Sequence, residues 1–290
     1  MMELTAQALF TGLLMGGFYG LIAVGLALVF GTMKVINLAH GELVLLAAYI
    51  AYALESQTGL NPMLSLPIAM AVVIVAALVT FYLTNQIKKD RELNSLILTF
   101  GLGIVLTNGL LMVFSADIYS TQSSWFMEGV VIADSLFSMR SEMIAFIVGI
   151  AALGGLYWWL NHTWHGRAIR SVSSNRDAAK LMGMNPTKAE LWSWGVAGVL
   201  AALAGVMLYV TSVIHPPVGH SLTIKAFVIT VLAGMGSIPG VLVGAIMIGV
   251  IEGLTTTYFQ SSLAELASMT VFLLVLLVMP SGLFGKKGAH

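Results

Sequence analysis

Long apolar runs alternate with short polar segments along almost the whole chain. Most runs approach the roughly 20 residues that an α-helix needs to cross about 30 Å of hydrocarbon. Such runs predict membrane-spanning helices, because a helix satisfies its backbone hydrogen bonds internally. Nine candidate spans occur, at 7–30, 39–55, 64–87, 95–115, 143–160, 191–212, 223–235, 240–256 and 263–279.

The seventh and eighth runs are short, and only Gly236–Gly240 separates them. They can form two spans, a re-entrant hairpin or one long broken helix. The pattern therefore predicts an all-α, polytopic membrane protein with about eight or nine transmembrane helices and broken or re-entrant segments. No composition shift divides the chain, so residues 1–290 are expected to form a single transmembrane domain.

The composition agrees with this pattern and excludes several kinds of function. Of the 290 residues, 58% are hydrophobic and 9% are charged, against about 25% charged residues in an average soluble domain. The chain has no cysteine, which excludes a thiolate metal site. Its formal net charge of zero argues against nucleic acid as a partner. We expect a bilayer as solvent and no metal or cofactor bound by this chain.

Lysine and arginine indicate the orientation, because they collect in cytoplasmic loops. Eleven of the 13 basic residues fall on one side if the spans alternate and 236–240 is a turn. The N-terminus is then predicted outside and the C-terminus in the cytoplasm. The basic groups are Lys34, then Lys88, Lys89 and Arg91, then the five within 161–190, and finally Lys286 and Lys287.

The segment 161–190 is the one extended polar stretch on the predicted inner side. Within it a short helix is predicted, with Ser174 or Asn175 as N-cap, Asp177 in the first turn and Gly183 at the end. A charged loop that merely enforces topology remains one interpretation. The other is a docking element for a cytoplasmic partner, because a capped helix exceeds what topology requires.

An interruption between the first two spans places polar groups inside an apolar region. Gly31 to Asn37 breaks the helical pattern, and His40 and Glu42 follow in the first turns of the second span. Asn37 and His40 share a helix face, which Glu42 joins only if the helix is distorted at Gly41. These residues are predicted either to cap a helix at the inner interface or to line the translocation path, and we expect both roles together.

Two further features extend the candidate path. The break at 236–240 is the second glycine- and proline-interrupted apolar segment, a usual sequence indication of a central site. Glu252 lies inside the eighth span and is a functional candidate, although proximity to an aqueous end also allows simple solvation. Lys225 is expected to extend to the interface. The candidate pathway residues are Gly31, Asn37, His40, Gly41, Glu42, Gly236, Ser237, Pro239 and Glu252.

Motifs for energy conversion or hydrolysis are missing from the sequence. There is no G-x-x-x-x-G-K-[ST] phosphate-binding loop, no H-E-x-x-H zinc motif and no G-x-S nucleophile with a histidine deep in a span. We therefore predict a transporter subunit, not an enzyme, that depends on a separate ATPase. A stand-alone channel and an intramembrane enzyme are the alternatives from other classes.

Several motifs, spread over nearly the whole chain, resemble those of the inner-membrane permeases of bacterial ABC uptake systems for branched-chain amino acids. This family is shared with the similar urea permeases. The motifs occur in the family's order and are Val35–Glu42, Gly166–Arg170 with Asp177–Gly183, Lys225–Phe227, Gly234–Gly240 and Leu274–Gly282.

The resemblance implies an ABC importer permease fold in which 161–190 is a cytoplasmic coupling loop. Asp177–Gly183 is similar to the coupling helix that such importers insert into their ATPase, although the downstream Ile-x-Leu-Pro is missing and Asp replaces a frequent Glu. The resemblance places six residues in ATPase coupling: Arg167, Arg170, Asp177, Ala178, Ala179 and Gly183.

The resemblance also implies the rest of the machine and its cargo. The expected partners are a second homologous permease in a heterodimer, two cytoplasmic ATPases that use ATP, and a periplasmic substrate-binding protein, all at the bacterial inner membrane. A largely apolar path suits leucine, isoleucine or valine. Urea or another short-chain amide is the main alternative, and no residue of the sequence decides between these cargoes.

Overall fold

The computed structural model describes residues 1–132 and 135–285 and is almost entirely helical. Lys286 and Lys287, which belong to the predicted basic groups, lie outside the described residues. A two-stranded antiparallel hairpin joins β1 (Gly129–Ile132) to β2 (Leu136–Met139). The helices are α1 Met2–Met33, α2 His40–Thr58, α3 Leu66–Asn85, α4 Arg91–Phe114, α5 Ser124–Met127, α6 Arg140–His162, α7 Trp164–Ser174, α8 Arg176–Leu181, α9 Pro186–Thr211, α10 Val218–Ala233, α11 Ile238–Tyr258 and α12 Ala264–Val278.

The described residues contain 7 helices that are long and apolar enough to cross a membrane. They are α1, α4, α6, α9 and α11, together with α3 and α12 extended by short 3-10 turns at Pro62–Ser65 and Ser261–Leu263. The shorter apolar helix α10 and the more polar α2 pack among them. The predicted all-α, polytopic architecture is therefore confirmed.

Helices α1, α2, α9, α10 and α11 form the buried centre, while α4 and α12 expose most of their surface. Glycine permits the most extensive of these helix contacts, that between α1 and α11. A Cβ added at Gly12 would lie 2.6 Å from Cα of Val250, and one at Gly249 would lie 2.3 Å from the carbonyl oxygen of Gly12. Small residues at such positions allow membrane helices to pack backbone against backbone.

The break between α10 and α11 is a tight turn, and the two helices pack antiparallel. Gly240 lies beside Ala233, and Gly244 lies beside Ile229. One long broken helix is therefore excluded among the three interpretations of this region. One end of the bundle holds Lys34, Lys88–Arg91 and 161–190, as the contacts of Ser173 with Gly31 and of Arg91 with Glu190 show. We call this the basic end; that it faces the cytoplasm stays a prediction.

Helix α2 begins deep in the bundle instead of at the basic end. Lys34 ends α1 in the left-handed conformation at φ 57°, and the chain then runs back in non-helical form. A ring nitrogen of His40 lies 2.9 Å from the carbonyl oxygen of Ile22, eleven residues before the end of α1. At 1.5 Å per residue this is a depth of roughly 16 Å. The sequence predicts that this span starts near the inner surface. In the structure it starts closer to the middle of the bundle.

Candidate translocation site and coupling surface

A cavity of about 430 Å³ opens where the first turns of α2 and α10 meet the central part of α4. The cavity lies at about half the length of α4. Its wall combines apolar side chains with four polar ones. Binding sites of transporters typically lie at such a depth, between interrupted helices. The lining residues are Leu38, Glu42, Phe100, Gly103, Ile104, Thr107, Asn108, Pro217 and His220.

Glu42 is the acidic residue of this wall, and it is 2% exposed. Its Oε2 accepts a hydrogen bond of 3.1 Å from the hydroxyl of Thr223 on α10. The same hydroxyl accepts the backbone N–H of Gly41 at 2.8 Å. Gly41 has no room for a side chain, because an added Cβ would lie 2.1 Å from the carbonyl oxygen of Gly219. Thr223 therefore joins the beginnings of α2 and α10 directly beside the cavity.

Asn37 and His40 are buried outside this cavity lining. The side-chain oxygen of Asn37 accepts the N–H of Ala39 at 3.1 Å and so closes the turn that starts α2. His40 is bound to Ile22 and packs against Gly25. Asn37 therefore closes the turn before α2 but does not cap the helix, because the N-cap residue is Ala39 and it has no side-chain cap. Glu42 alone of the three polar groups reaches the cavity. A pathway role for Asn37 and His40 stays a prediction.

The first predicted break starts later than expected, because Gly31 still belongs to α1, which ends at Met33. Gly31 nevertheless meets the second break at the basic end. A Cβ added at Gly31 would lie 3.1 Å from Cα of Gly236, which has φ 91°. Ser237 caps α11 by accepting the N–H of Gly240 at 3.2 Å, and Pro239 lies in the first turn. Ser173 of α7 donates a hydrogen bond to the carbonyl oxygen of Gly31. The break region is thereby tied to the segment of the predicted coupling loop.

Glu252 lies in a buried charged cluster. This contradicts the expectations that Lys225 extends to the interface and that Glu252 is simply solvated. Lys225 approaches Glu252 at 3.0 Å, so the lysine does not extend to the interface and the glutamate is not simply solvated. The hydroxyl of Tyr19 on α1 donates a hydrogen bond of 2.7 Å to the carboxylate of Glu252. The ammonium of Lys225 lies 4.2 Å from the centre of the Tyr19 ring. The sequence analysis missed Tyr19 and this pairing. The available signal was a lysine and a glutamate in neighbouring spans that hold few other charges.

The predicted helix in 161–190 is present as α8. Asn175 is its N-cap and accepts the N–H of Ala178 at 2.9 Å, while Asp177 lies in the first turn. Gly183 follows with φ 81°, in the left-handed region that favours glycine. At the end of the helix, Leu181 and the C-cap residue Met182 are 89% and 80% exposed. Large apolar side chains this exposed, next to a capped helix, are typical of an interaction site.

The six predicted coupling residues fall on two adjoining surface depressions around α8. One, of about 560 Å³, includes Arg167, Arg170, Ala178 and Ala179 in its wall. The other, of about 400 Å³, includes Asp177 and Gly183. The structure thus brings all six to one region at the basic end. Their role in ATPase coupling stays a prediction.

An ion-pair network that the sequence analysis missed braces α8 against the membrane helices. Glu190, in the first turns of α9, is fully buried. Arg176 of α8 lies 3.0 Å from its carboxylate, and Arg91 of α4 lies 3.3 Å from it. This one carboxylate therefore connects the coupling region with α4, the helix that forms one wall of the cavity.

Comparison with known proteins shows that most of the chain matches one protein family. A family model described as "Branched-chain amino acid transport system / permease component" matches residues 8–279. The high-affinity branched-chain amino acid transport system permease protein LivH of Salmonella typhimurium is 28% identical, covering 97% of this chain and 95% of that protein. The corresponding protein BraD of Pseudomonas aeruginosa is 29% identical, with the same coverage.

A probable branched-chain amino acid transport permease protein LivH of Methanocaldococcus jannaschii is 30% identical, covering 91% of this chain and 88% of its own. Among solved structures, a chain of PsaBC from Streptococcus pneumoniae, in complex with Fab, matches with a TM-score of 0.50 and 15% identity. The match covers 96% of this chain and 93% of that one, and it supports the helical fold.

Proposed function

Because the chain belongs to the family of branched-chain amino acid transport system permease components, we propose that it forms half of the pathway of an ATP-driven importer. The named relatives are permease proteins, and the chain is a multi-pass permease, not an enzyme. The steps beyond this role are proposals: the cargo, the ATPase and the other partners.

The exposed unit formed by α7 and α8 at the basic end is the observation that supports an ATP-driven importer. Its capped helix presents Ala178 to solvent next to the exposed Leu181 and Met182, while Arg176 ties it to Glu190. A channel that acts alone has no need of such a unit. A cytoplasmic ATPase that binds α8 could pull on α9 and α4 through the Glu190 carboxylate.

The proposed assembly contains two such ATPases, a second homologous permease and a periplasmic substrate-binding protein. ATP would bind to the ATPases, since the sequence of this chain has no phosphate-binding loop. The proposed location is the bacterial inner membrane, with the basic end in the cytoplasm, the N-terminus outside and the C-terminus inside. The binding protein would then dock at the opposite end, where Glu55 and Thr121 hold the segment around Tyr119.

Branched-chain amino acids are the proposed cargo because the cavity offers apolar surface. Leu38, Phe100, Ile104 and Pro217 line it, and apolar side chains gain free energy when they leave water. Urea has no apolar surface to bury and would gain little from this wall.

Reconstitution of the complete importer tests the proposal. Liposomes that contain the two permeases and the ATPases, supplied with the binding protein, should accumulate labelled leucine only when ATP is present on the ATPase side. The matched control uses urea as the labelled cargo. Preference for urea would replace the proposed cargo, and leucine flux through this chain without ATP would contradict the importer mechanism.

A further inference from the structure

The buried glutamates differ in how completely their charges are matched. Glu190 lies beside two arginines and Glu252 beside a lysine. Glu55 accepts from the hydroxyls of Thr121 and Tyr209 and from the N–H of Gln122. Within residues 1–132 and 135–285, the one side-chain donor bound to Glu42 is the hydroxyl of Thr223. Glu42 therefore has the fewest side-chain donors of the four.

The carboxylate of Glu42 faces a space that glycine keeps open. Gly103 of α4 lies across from it, and a Cβ added there would lie 3.4 Å from Cδ and 3.6 Å from each carboxylate oxygen. Any side chain at position 103 would therefore cover the carboxylate. Both residues line the cavity of about 430 Å³, which is large enough for a small solute.

The remaining wall is divided between apolar and polar groups. Phe100, Ile104, Leu38 and Pro217 form the apolar part. Asn108 and His220 supply an amide and an imidazole, and one amide N–H of Asn108 is already bound to the carbonyl oxygen of Ile104 at 2.8 Å. Among residues 1–132 and 135–285, no lysine or arginine lines this cavity. A ligand that brings its own cation next to an apolar body would complement these groups.

We propose that Glu42 binds the ammonium group of an α-amino acid cargo while the apolar wall receives its side chain. This inference rests on the proposed function and adds to it a specific site within the pathway. The carboxylate of the cargo would face Asn108 and His220. A buried carboxylate with no lysine or arginine beside it gains most from a charged donor, because hydrogen bonds to charged groups are about twice as strong as neutral ones.

Thermal unfolding of the purified complex of the two permeases with the ATPases, without binding protein, measures this site directly. A ligand that binds the folded state raises the midpoint, and the rise with concentration gives the dissociation constant. The probes are L-leucine, isoamylamine, which lacks the carboxylate, isocaproate, which lacks the ammonium group, and urea. Leucine and isoamylamine should raise the midpoint, whereas isocaproate and urea should not.

Gly103→Ala is the decisive variant, because alanine favours the helix and its methyl group would cover the carboxylate. It should weaken leucine binding about tenfold or more, the loss expected for a charged hydrogen bond. Glu42→Gln should weaken it similarly. Gly101→Ala and Gly109→Ala are matched controls on α4, since nothing lies within 4 Å of a Cβ at either position, and both should bind leucine as the wild type does.

Two results overturn the inference: equal stabilisation by isocaproate or urea, or unchanged leucine binding in Gly103→Ala. The outcome is separate from that of the proposed function. Failure of ATP-driven leucine uptake by the wild-type importer contradicts the importer itself. Normal uptake with unchanged binding in Gly103→Ala contradicts only the role of Glu42.

Discussion

The guanidinium of Arg176 lies 3.0 Å from the fully buried carboxylate of Glu190. This contact fastens the exposed helix α8 to α9, and Arg91 extends it to α4. Because α4 also forms a wall of the cavity, the Glu190 carboxylate connects α8 with a helix that lines the cavity. The coupling surface and the candidate site are thereby physically connected.

Glu190→Gln should reduce the coupling between ATP hydrolysis and transport. The neutral amide leaves both arginines without a counter-charge, and the loss of a hydrogen bond to a charged group costs about 1.5–3 kcal/mol. Because the side chain of Arg176 is half exposed, we expect a free-energy cost at the lower end of this range. We expect fewer leucine molecules transported per ATP in reconstituted liposomes. Glu92→Gln, at an exposed position on α4 at the same end, is the control, and an unchanged ratio in Glu190→Gln would contradict this linkage.

Gly183→Val should abolish transport while the binding protein still captures leucine. Gly183 has φ 81°, where a residue with a Cβ costs about 1–2 kcal/mol. Nothing lies within 4 Å of an added Cβ, so the change acts on the backbone turn after α8 without a clash. Gly183→Asn is the control, because asparagine tolerates the left-handed conformation. Normal uptake by the valine variant would remove the coupling role from this turn.

Lys225 and Glu252 should show strong energetic coupling in a double-mutant cycle. Breaking a buried pair from one side costs about 3–5 kcal/mol, because it leaves one charge uncompensated. The side chain of Lys225 is 22% exposed, which lowers the expected cost. Thermal unfolding of Lys225→Met, Glu252→Gln and the double variant measures the coupling energy between the two residues. The double variant should be more stable than at least one single variant, whereas additive losses would show that the pair contributes nothing.

Thr223→Val should destabilise the junction of α2 and α10 while it keeps the shape of the side chain. The variant leaves the N–H of Gly41 and the carboxylate of Glu42 without the hydroxyl that joins them. A buried unsatisfied group costs about 1–3 kcal/mol, so the unfolding midpoint should fall. Thr107→Val on α4 is the control, because no side-chain hydrogen bond joins it to another helix within the described residues. Equal midpoints in the two variants would exclude this role for Thr223.

The sequence predicted features that depend on local pattern. The apolar runs located the helices, and Asn175 with Gly183 marked the ends of α8 because capping and left-handed turns need particular residue types. The glycines at 236 and 240 marked the turn between α10 and α11. These signals lie within a few residues of the structure that they determine.

The sequence could not supply features that depend on which helices become neighbours. The depth of His40 follows from its contact with Ile22, and the partners of Glu252 and Glu190 lie on other helices far along the chain. A span pattern contains no information on such pairing. Among the candidate pathway residues, Glu42 lines the cavity, whereas the side chain of Asn37 binds the backbone N–H of Ala39 and its pathway role stays a prediction.

The account requires the α7–α8 unit to face the cytoplasm, and single-cysteine labelling tests this most directly. The chain contains no cysteine, so Leu181→Cys on the exposed end of α8 introduces a unique thiol, and Met127→Cys places one at the opposite end. With a membrane-impermeant maleimide, Leu181→Cys should react in inside-out vesicles and Met127→Cys in right-side-out vesicles. Labelling of Leu181→Cys from the outside would contradict the proposal that a cytoplasmic ATPase drives this permease.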